Sequence, residues 1–179
     1  CFLARMYRAL HECDEERKGD PADYDRWVVF GADARLDMQW WALCLQEADC
    51  VRLWRSGSFA LHRCWSDASN YGFAHCIATN EEANLPTMAF SHGVWPDTVS
   101  AFSSNYHELA TILHSIKSQM EKLRGSMVHF FTDNTTAVKA VNSGVVRSPQ
   151  LMRLSRELKL VQAKGNIGVE AIHLSGKIM

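Results

Sequence analysis

The feature that most constrains this chain is a change in how its strands are connected, about half-way along. Between Phe59 and Ser91 three short apolar stretches follow one another: Phe59 to Asp67, about 71–79, and Thr87 to Ser91. The links between them, Ala68-Ser69-Asn70 and the polar run Asn80 to Pro86, are too short for a crossover, so the three read as an antiparallel meander. From Ser103 onward every strand is preceded by a helix. That alternation favours parallel pairing and an α/β fold.

In the second half Ser103, Ser104 or Asn105 can cap a helix that runs to about Arg124, with Gly125 as its stop. Leu109, Ile112, Leu113, Ile116 and Met120 fall at helical spacing along it. Met127 to Phe131 is a compact apolar strand ending in Thr132-Asp133-Asn134. A short helix follows with Ala137, Val138 and Val141 inward, closed by Asn142-Ser143-Gly144. Ser148 and Pro149 open another helix as cap and first-turn residue, with Leu151, Leu154, Leu158 and Val161 inward and Gly165 at its end. Ile167 to Leu174 is a last strand. Upstream, residues 1–13 show a helical face and His11 to Asp20 reads as a charged loop. A helix capped by Asp33 is expected to reach about Glu47, with Leu36, Trp40, Leu43 and Cys44 on its buried face and Trp41 beside them. The expected division is a helical N-terminal segment, 1–58, followed by the α/β domain, 59–179.

Hydrophobic residues make up 47% and charged residues 22% of the 179, which argues against broad disorder. No apolar run is long enough to span a bilayer, and the start, Cys1 to Arg5, lacks the basic-then-apolar pattern of a secretory leader. The six cysteines form no Cys-x-x-Cys pair and fit no zinc spacing, so they read as reduced thiols of an intracellular protein, cytoplasmic or nuclear. The net charge of −1 hides an asymmetry. Residues 1–100 carry 9 Lys+Arg against 15 Asp+Glu (−6), and residues 101–179 carry 10 against 5 (+5). A basic half can hold a polyanion while acids elsewhere hold metal, although ordinary fluctuation gives the same split.

Three carboxylates stand out by position. Asp67 ends the first strand, Glu108 lies in the first turn of the long helix, and Asp133 ends the strand after that helix. Each alone is an ordinary turn or first-turn acid. If the two strands are parallel neighbours, their carboxylates meet beyond the strand ends, where ligands bind in open sheets. Three crowded carboxylates repel unless cations hold them, and oxygen-only ligands suit Mg²⁺ or Mn²⁺.

Four motifs, Ser66-Asp67-Ala68-Ser69, Ser104-Asn105-Tyr106-His107-Glu108-Leu109, Phe131 to Ala137, and His173-Leu174-Ser175-Gly176, resemble the ribonuclease H domain of retroelement reverse transcriptases. Within that group Arg147-Ser148-Pro149 and Asp37-Met38-Gln39-Trp40-Trp41 are most similar to DIRS-type (tyrosine-recombinase) retrotransposons. The resemblance covers roughly residues 32–179. It implies a ribonuclease H-like, five-stranded mixed sheet in the order 3-2-1-4-5 with flanking helices. It also implies hydrolysis of the RNA strand of an RNA–DNA hybrid by two Mg²⁺ or Mn²⁺ ions, held about 4 Å apart by Asp67, Glu108 and Asp133. Asn105 would face the minor groove, with further substrate contacts from Ser69, Asn134, Arg147 and Ser148. Arg153, Arg156, Lys159 and Lys164 could meet phosphates. An upstream reverse transcriptase domain of the same polyprotein is the implied protein partner, and no membrane is. The family carries a fourth carboxylate shortly after the motif at His173 to Gly176. Lys177-Ile178-Met179 supply none and Glu170 precedes the motif, so the sequence is expected to be a fragment ending before the domain's last helix. The competing expectation is a catalytically degenerate scaffold or nucleic-acid-binding module.

Overall fold

The computed structural model describes residues 30–47, 60–79 and 87–175. The expected helical face over 1–13 and the charged loop of 11–20 lie outside those residues, as do Lys177-Ile178-Met179. The chain divides into two compact units, Cys1–Asp49 and Cys50–Met179.

The described part of the first unit is helix α1, Ala32–Glu47. It starts one residue before the expected cap, Asp33. Among its described side chains Ala34 and Asp37 are buried and Trp40 and Trp41 half-buried, whereas Leu36 and Leu43 are 49% and 45% exposed. The expected apolar face is therefore contradicted at Leu36 and Leu43, while Cys44 is outside the described side chains. Large apolar residues (Leu36, Met38, Trp40, Trp41, Leu43, Leu45) occur all round this helix, so spacing alone does not select a side.

The second unit is built on one five-stranded sheet. Strands β1 (Leu61–Ala68), β2 (Gly72–Thr79) and β3 (Thr87–Val94) form the antiparallel meander. The short helix α2, Asp97–Ser100, and helix α3, Ser104–Ser118, follow. Then come α4 (Met120–Leu123), β4 (Met127–Thr132), α5 (Thr135–Ser143), α6 (Pro149–Gly165) and β5 (Gly168–His173). Both β1–β4 and β4–β5 are parallel, and the order is β3-β2-β1-β4-β5, as expected.

Alternation along the strands sends Cys64, Ile77, Val128, Phe130 and Ala171 into one core. There they meet Leu109, Ile112 and Ile116 of α3, Ala137 and Val141 of α5, and Leu154 and Leu158 of α6. Thr111 and Ser115 are buried on α3 among apolar neighbours. Their hydroxyls donate to the carbonyls of His107 (2.9 Å) and Thr111 (2.8 Å), which removes the cost of unpaired groups there.

Two boundaries differ appreciably from expectation, for identifiable reasons. Strand β3 runs three residues past Ser91, because Gly93 is not a terminator. A Cβ there would stand 2.7 Å from Phe73 Cζ, so the missing side chain makes room for that ring, which packs on Trp95 and His114. The long helix stops at Ser118, because Gln119 leaves helical geometry (φ −114°) before the single turn of α4. Ser103 is the cap of α3, accepting from the Tyr106 N–H, so Asn105 is free of that duty. Helix α6 ends at Gly165 as expected, with Asn166 in the left-handed region (φ 52°) as its C-cap, and Gly144 (φ 67°) closes α5 as expected.

Candidate functional site

Strands β1 and β4 run side by side in parallel, with Trp65 level with Phe131 and their rings stacked 5.3 Å apart. Two residues further on, Asp67 and Asp133 leave the sheet at the same end and on the same face, both exposed. Asp67 Oδ1 accepts from the Ala68 N–H (2.9 Å). The Asp133 carbonyl accepts from His173 Nε2 (3.1 Å), and the Thr132 carbonyl accepts from the Leu174 N–H (2.9 Å). These bonds tie the ends of β4 and β5 together.

Glu108 comes from α3. It is the fifth helical residue, not a first-turn acid, and only 4% exposed. Its Oε1 accepts from the Ala68 N–H (3.2 Å) and its Oε2 from the Thr132 hydroxyl (3.4 Å), so it touches both strand ends. Burial, then the charges of Asp67 and Asp133, push its carboxyl up to about 7 against the effect of those two hydrogen bonds. The three acids expected from sequence are thus brought within electrostatic reach of one another.

Thr132 is a linker that the sequence reading did not single out. Its buried hydroxyl donates to Glu108 and accepts from the Asn134 N–H (3.2 Å). Asn134 caps α5, its Oδ1 accepting from the Ala137 N–H (2.9 Å), while its Nδ2 donates to Asn105 Oδ1 (2.8 Å). The starts of α3 and α5 are therefore joined by an amide pair one residue from Asp133. The available signal was the position of Thr132 beside the acid, inside the quoted motif.

The remaining expected substrate residues are not brought to this point. The Ser69 hydroxyl is used inside the β1–β2 turn, accepting from the N–H groups of Tyr71 (3.2 Å) and Gly72 (3.1 Å). Arg147 is exposed and Ser148 precedes α6 with no side-chain cap bond. Both follow the far end of α5, about 13 Å along the helix from Asn134 at 1.5 Å per residue. Glu170 lies in mid-β5, paired with His129 (3.4 Å), and is no substitute for a fourth acid at the strand ends. On α6, Lys159 is committed to the Val141 carbonyl (2.8 Å), whereas Arg153 and Lys164 are exposed.

Carboxylate oxygens at the strand ends suit a hard divalent cation in kind. The arrangement is not preassembled: among the described residues no three His, Cys, Asp or Glu side chains stand as a group that could hold a metal ion. Both Glu108 oxygens are engaged by protein donors, although each keeps a lone-pair site. The described Cys64 and Cys76 are free thiols, and no described helix is long and apolar enough to cross a membrane.

No family model matches the sequence, and no curated protein does. Solved structures do. An RNase H1 from the halophilic archaeon Halobacterium salinarum is similar at a TM-score of 0.51 and 11% identity, over 66% of this chain and 88% of that one. The chain has the ribonuclease H fold. LC11-RNase H1, solved in complex with an RNA/DNA hybrid, matches at 0.50 and 12% identity over 66% of this chain and 86% of its own. LC9-RNase H1, described as a type 1 RNase H with the type 2 active-site motif, matches at 0.50 and 16% identity over 68% and 66%.

Proposed function

We propose that this chain is a nuclease domain of the ribonuclease H type, which hydrolyses the RNA strand of RNA–DNA hybrids with Mg²⁺ or Mn²⁺. The observation that carries the reading is the position of Glu108, hydrogen-bonded to the ends of both β1 and β4 where Asp67 and Asp133 emerge. Asp67, Glu108 and Asp133 would hold the ions, and bound cations would supply water activation and stabilisation of the leaving oxygen. Thr132 and Ala68 hold Glu108 toward the other two acids. The Asn105–Asn134 pair would face the hybrid from two helix starts, with Ser69, Arg147, Ser148 and the exposed Arg153 and Lys164 as outlying contacts. The sequence motifs support placement within a retroelement reverse transcriptase polyprotein, DIRS-type most closely.

The test is cleavage of an end-labelled RNA–DNA hybrid in Mg²⁺ and in Mn²⁺, by this chain and by one continuing past Met179. RNA-strand cuts that Asp133→Asn abolishes, without loss of hybrid binding, are the expected result. Binding with no cleavage in either metal would favour the second reading, an inert hybrid-binding module. The engagement of both Glu108 oxygens within the protein is the observation on that side.

A further inference from the structure

The two edges of the sheet are treated differently. On the β5 side, Asn142 of α5 pairs with the backbone of Ala171 in both directions. Its Nδ2 donates to the carbonyl and its Oδ1 accepts from the N–H, each at 2.8 Å. That amide blocks strand addition at this edge. On the β3 side nothing comparable is present among the described residues. Strand β3 pairs with β2 through all eight residues in unbroken register, with no bulge, and no hydrogen bond among the described residues meets its outer edge. Its sequence, Thr-Met-Ala-Phe-Ser-His-Gly-Val, has no Pro, Lys, Arg, Asp or Glu. Among the described residues none of the usual devices against edge pairing is present. Met88, Phe90 and Val94 are 47%, 74% and 82% exposed, all on one face.

We infer that the outer edge of β3 is a self-association surface, at which two copies of the chain pair antiparallel through β3 into a continuous ten-stranded sheet. The chemistry of an open edge, alternating N–H and C=O groups over about 27 Å, requires a strand as occupant. The strand's own sequence points to a second copy. A two-fold axis normal to the sheet keeps the exposed faces on one side, so only registers that place one residue opposite itself are allowed. Centring on Ser91 sets Phe90 opposite His92 of the partner subunit and Met88 opposite Val94 of the partner subunit. The exposed apolar side chains then cover one another and no like charges are opposed. Beside Phe90 the same face continues through Cys76 and Trp65 to Phe131 and Ile172, one side chain from each strand in a single row. The paired copy thus extends an apolar surface already present, independently of any nuclease activity.

Sedimentation of the full chain across a concentration series tests the inference. A reversible monomer–dimer equilibrium is expected. Phe90→Lys and Val94→Lys should each weaken it at least about tenfold, because each buries a charge at the new pairing. Val145→Lys, at another apolar side chain that is 44% exposed but remote from β3, should leave it unchanged. Far-ultraviolet circular dichroism of each variant checks that the fold is retained. A chain that stays monomeric at every concentration overturns the inference. So does a dimer indifferent to both β3 variants, or one weakened equally by Val145→Lys.

Discussion

Replacing Glu108 by Gln tests the electrostatics of the site without requiring catalysis. In the folded chain burial and two neighbouring acids hold this carboxyl at about 7, against an ordinary value of 4.5. The folded value is raised, so the group's contribution to stability is fully present below about 4.5 and is lost as pH rises through 7. At 1.36 kcal/mol per pH unit, the gap amounts to a loss of about 3 kcal/mol between pH 4.5 and pH 8 in the absence of metal. Gln removes the titration and keeps an acceptor for the Ala68 N–H. Its amide can also donate to the Thr132 hydroxyl, so little else changes. Urea unfolding of both proteins in chelator from pH 4.5 to 8.5 measures the difference. The variant should be about equal to the parent at the acid end and more stable by about 2–3 kcal/mol at the alkaline end. Adding Mg²⁺ at about ten times its dissociation constant should restore about 1.4 kcal/mol to the parent and less to the variant. A difference that does not vary with pH would refute the account, because it would mean that Glu108 is solvated or ion-paired rather than crowded by acids.

Other changes probe the scaffold. His62 is buried with no partner for either ring nitrogen, and burial holds it below its ordinary 6.5. Its lowered folded value supplies stability above pH 6.5 that is lost on acidification, so His62→Leu should flatten the acid limb of the stability profile in urea titrations. Gly93→Ala would push a methyl into the Phe73 ring and should cost about 1–3 kcal/mol, with a change in the near-ultraviolet signal of Trp95, on which that ring packs. Phe130→Ala empties a fully buried position and should cost about 3–5 kcal/mol in the same unfolding assay. Asn142→Ala removes two hydrogen bonds to Ala171 and should cost about 1–2 kcal/mol, with faster amide exchange along β5.

How far the sequence carried the fold depended on whether a signal was local. Strand β4 was readable because its apolar run is short and bounded by Gly125 and Asp133, and α5 because Asn134 and Gly144 punctuate it at both ends. The face of α1 was not, because apolar residues surround it and only tertiary packing selects a side. The end of β3 was misjudged for a related reason. Gly93 looks like punctuation in isolation, and the need for a missing side chain there arises from Phe73 on the neighbouring strand.

The same distinction applies within the site. Asp67 and Asp133 could be placed from the chain because strand ends are local features and the parallel register does the rest. Glu108 was singled out, but as a first-turn acid stabilised by the helix dipole. Its actual position, one turn deeper and buried, gives it a different role, since its two oxygens join β1 to β4 through Ala68 and Thr132. This makes the carboxyl both a structural clasp and a group pushed up by burial and by its acidic neighbours. Ionisation at neutral pH strains the clasp, and a cation between the acids would relieve that strain. Thr132 and the Asn105–Asn134 pair belong to the same arrangement, because one hydroxyl carries the constraint from Glu108 to the cap of α5 and one amide carries it back to the start of α3. That circuit depends on which side chain bonds to which across three elements, and no spacing rule along one chain encodes it.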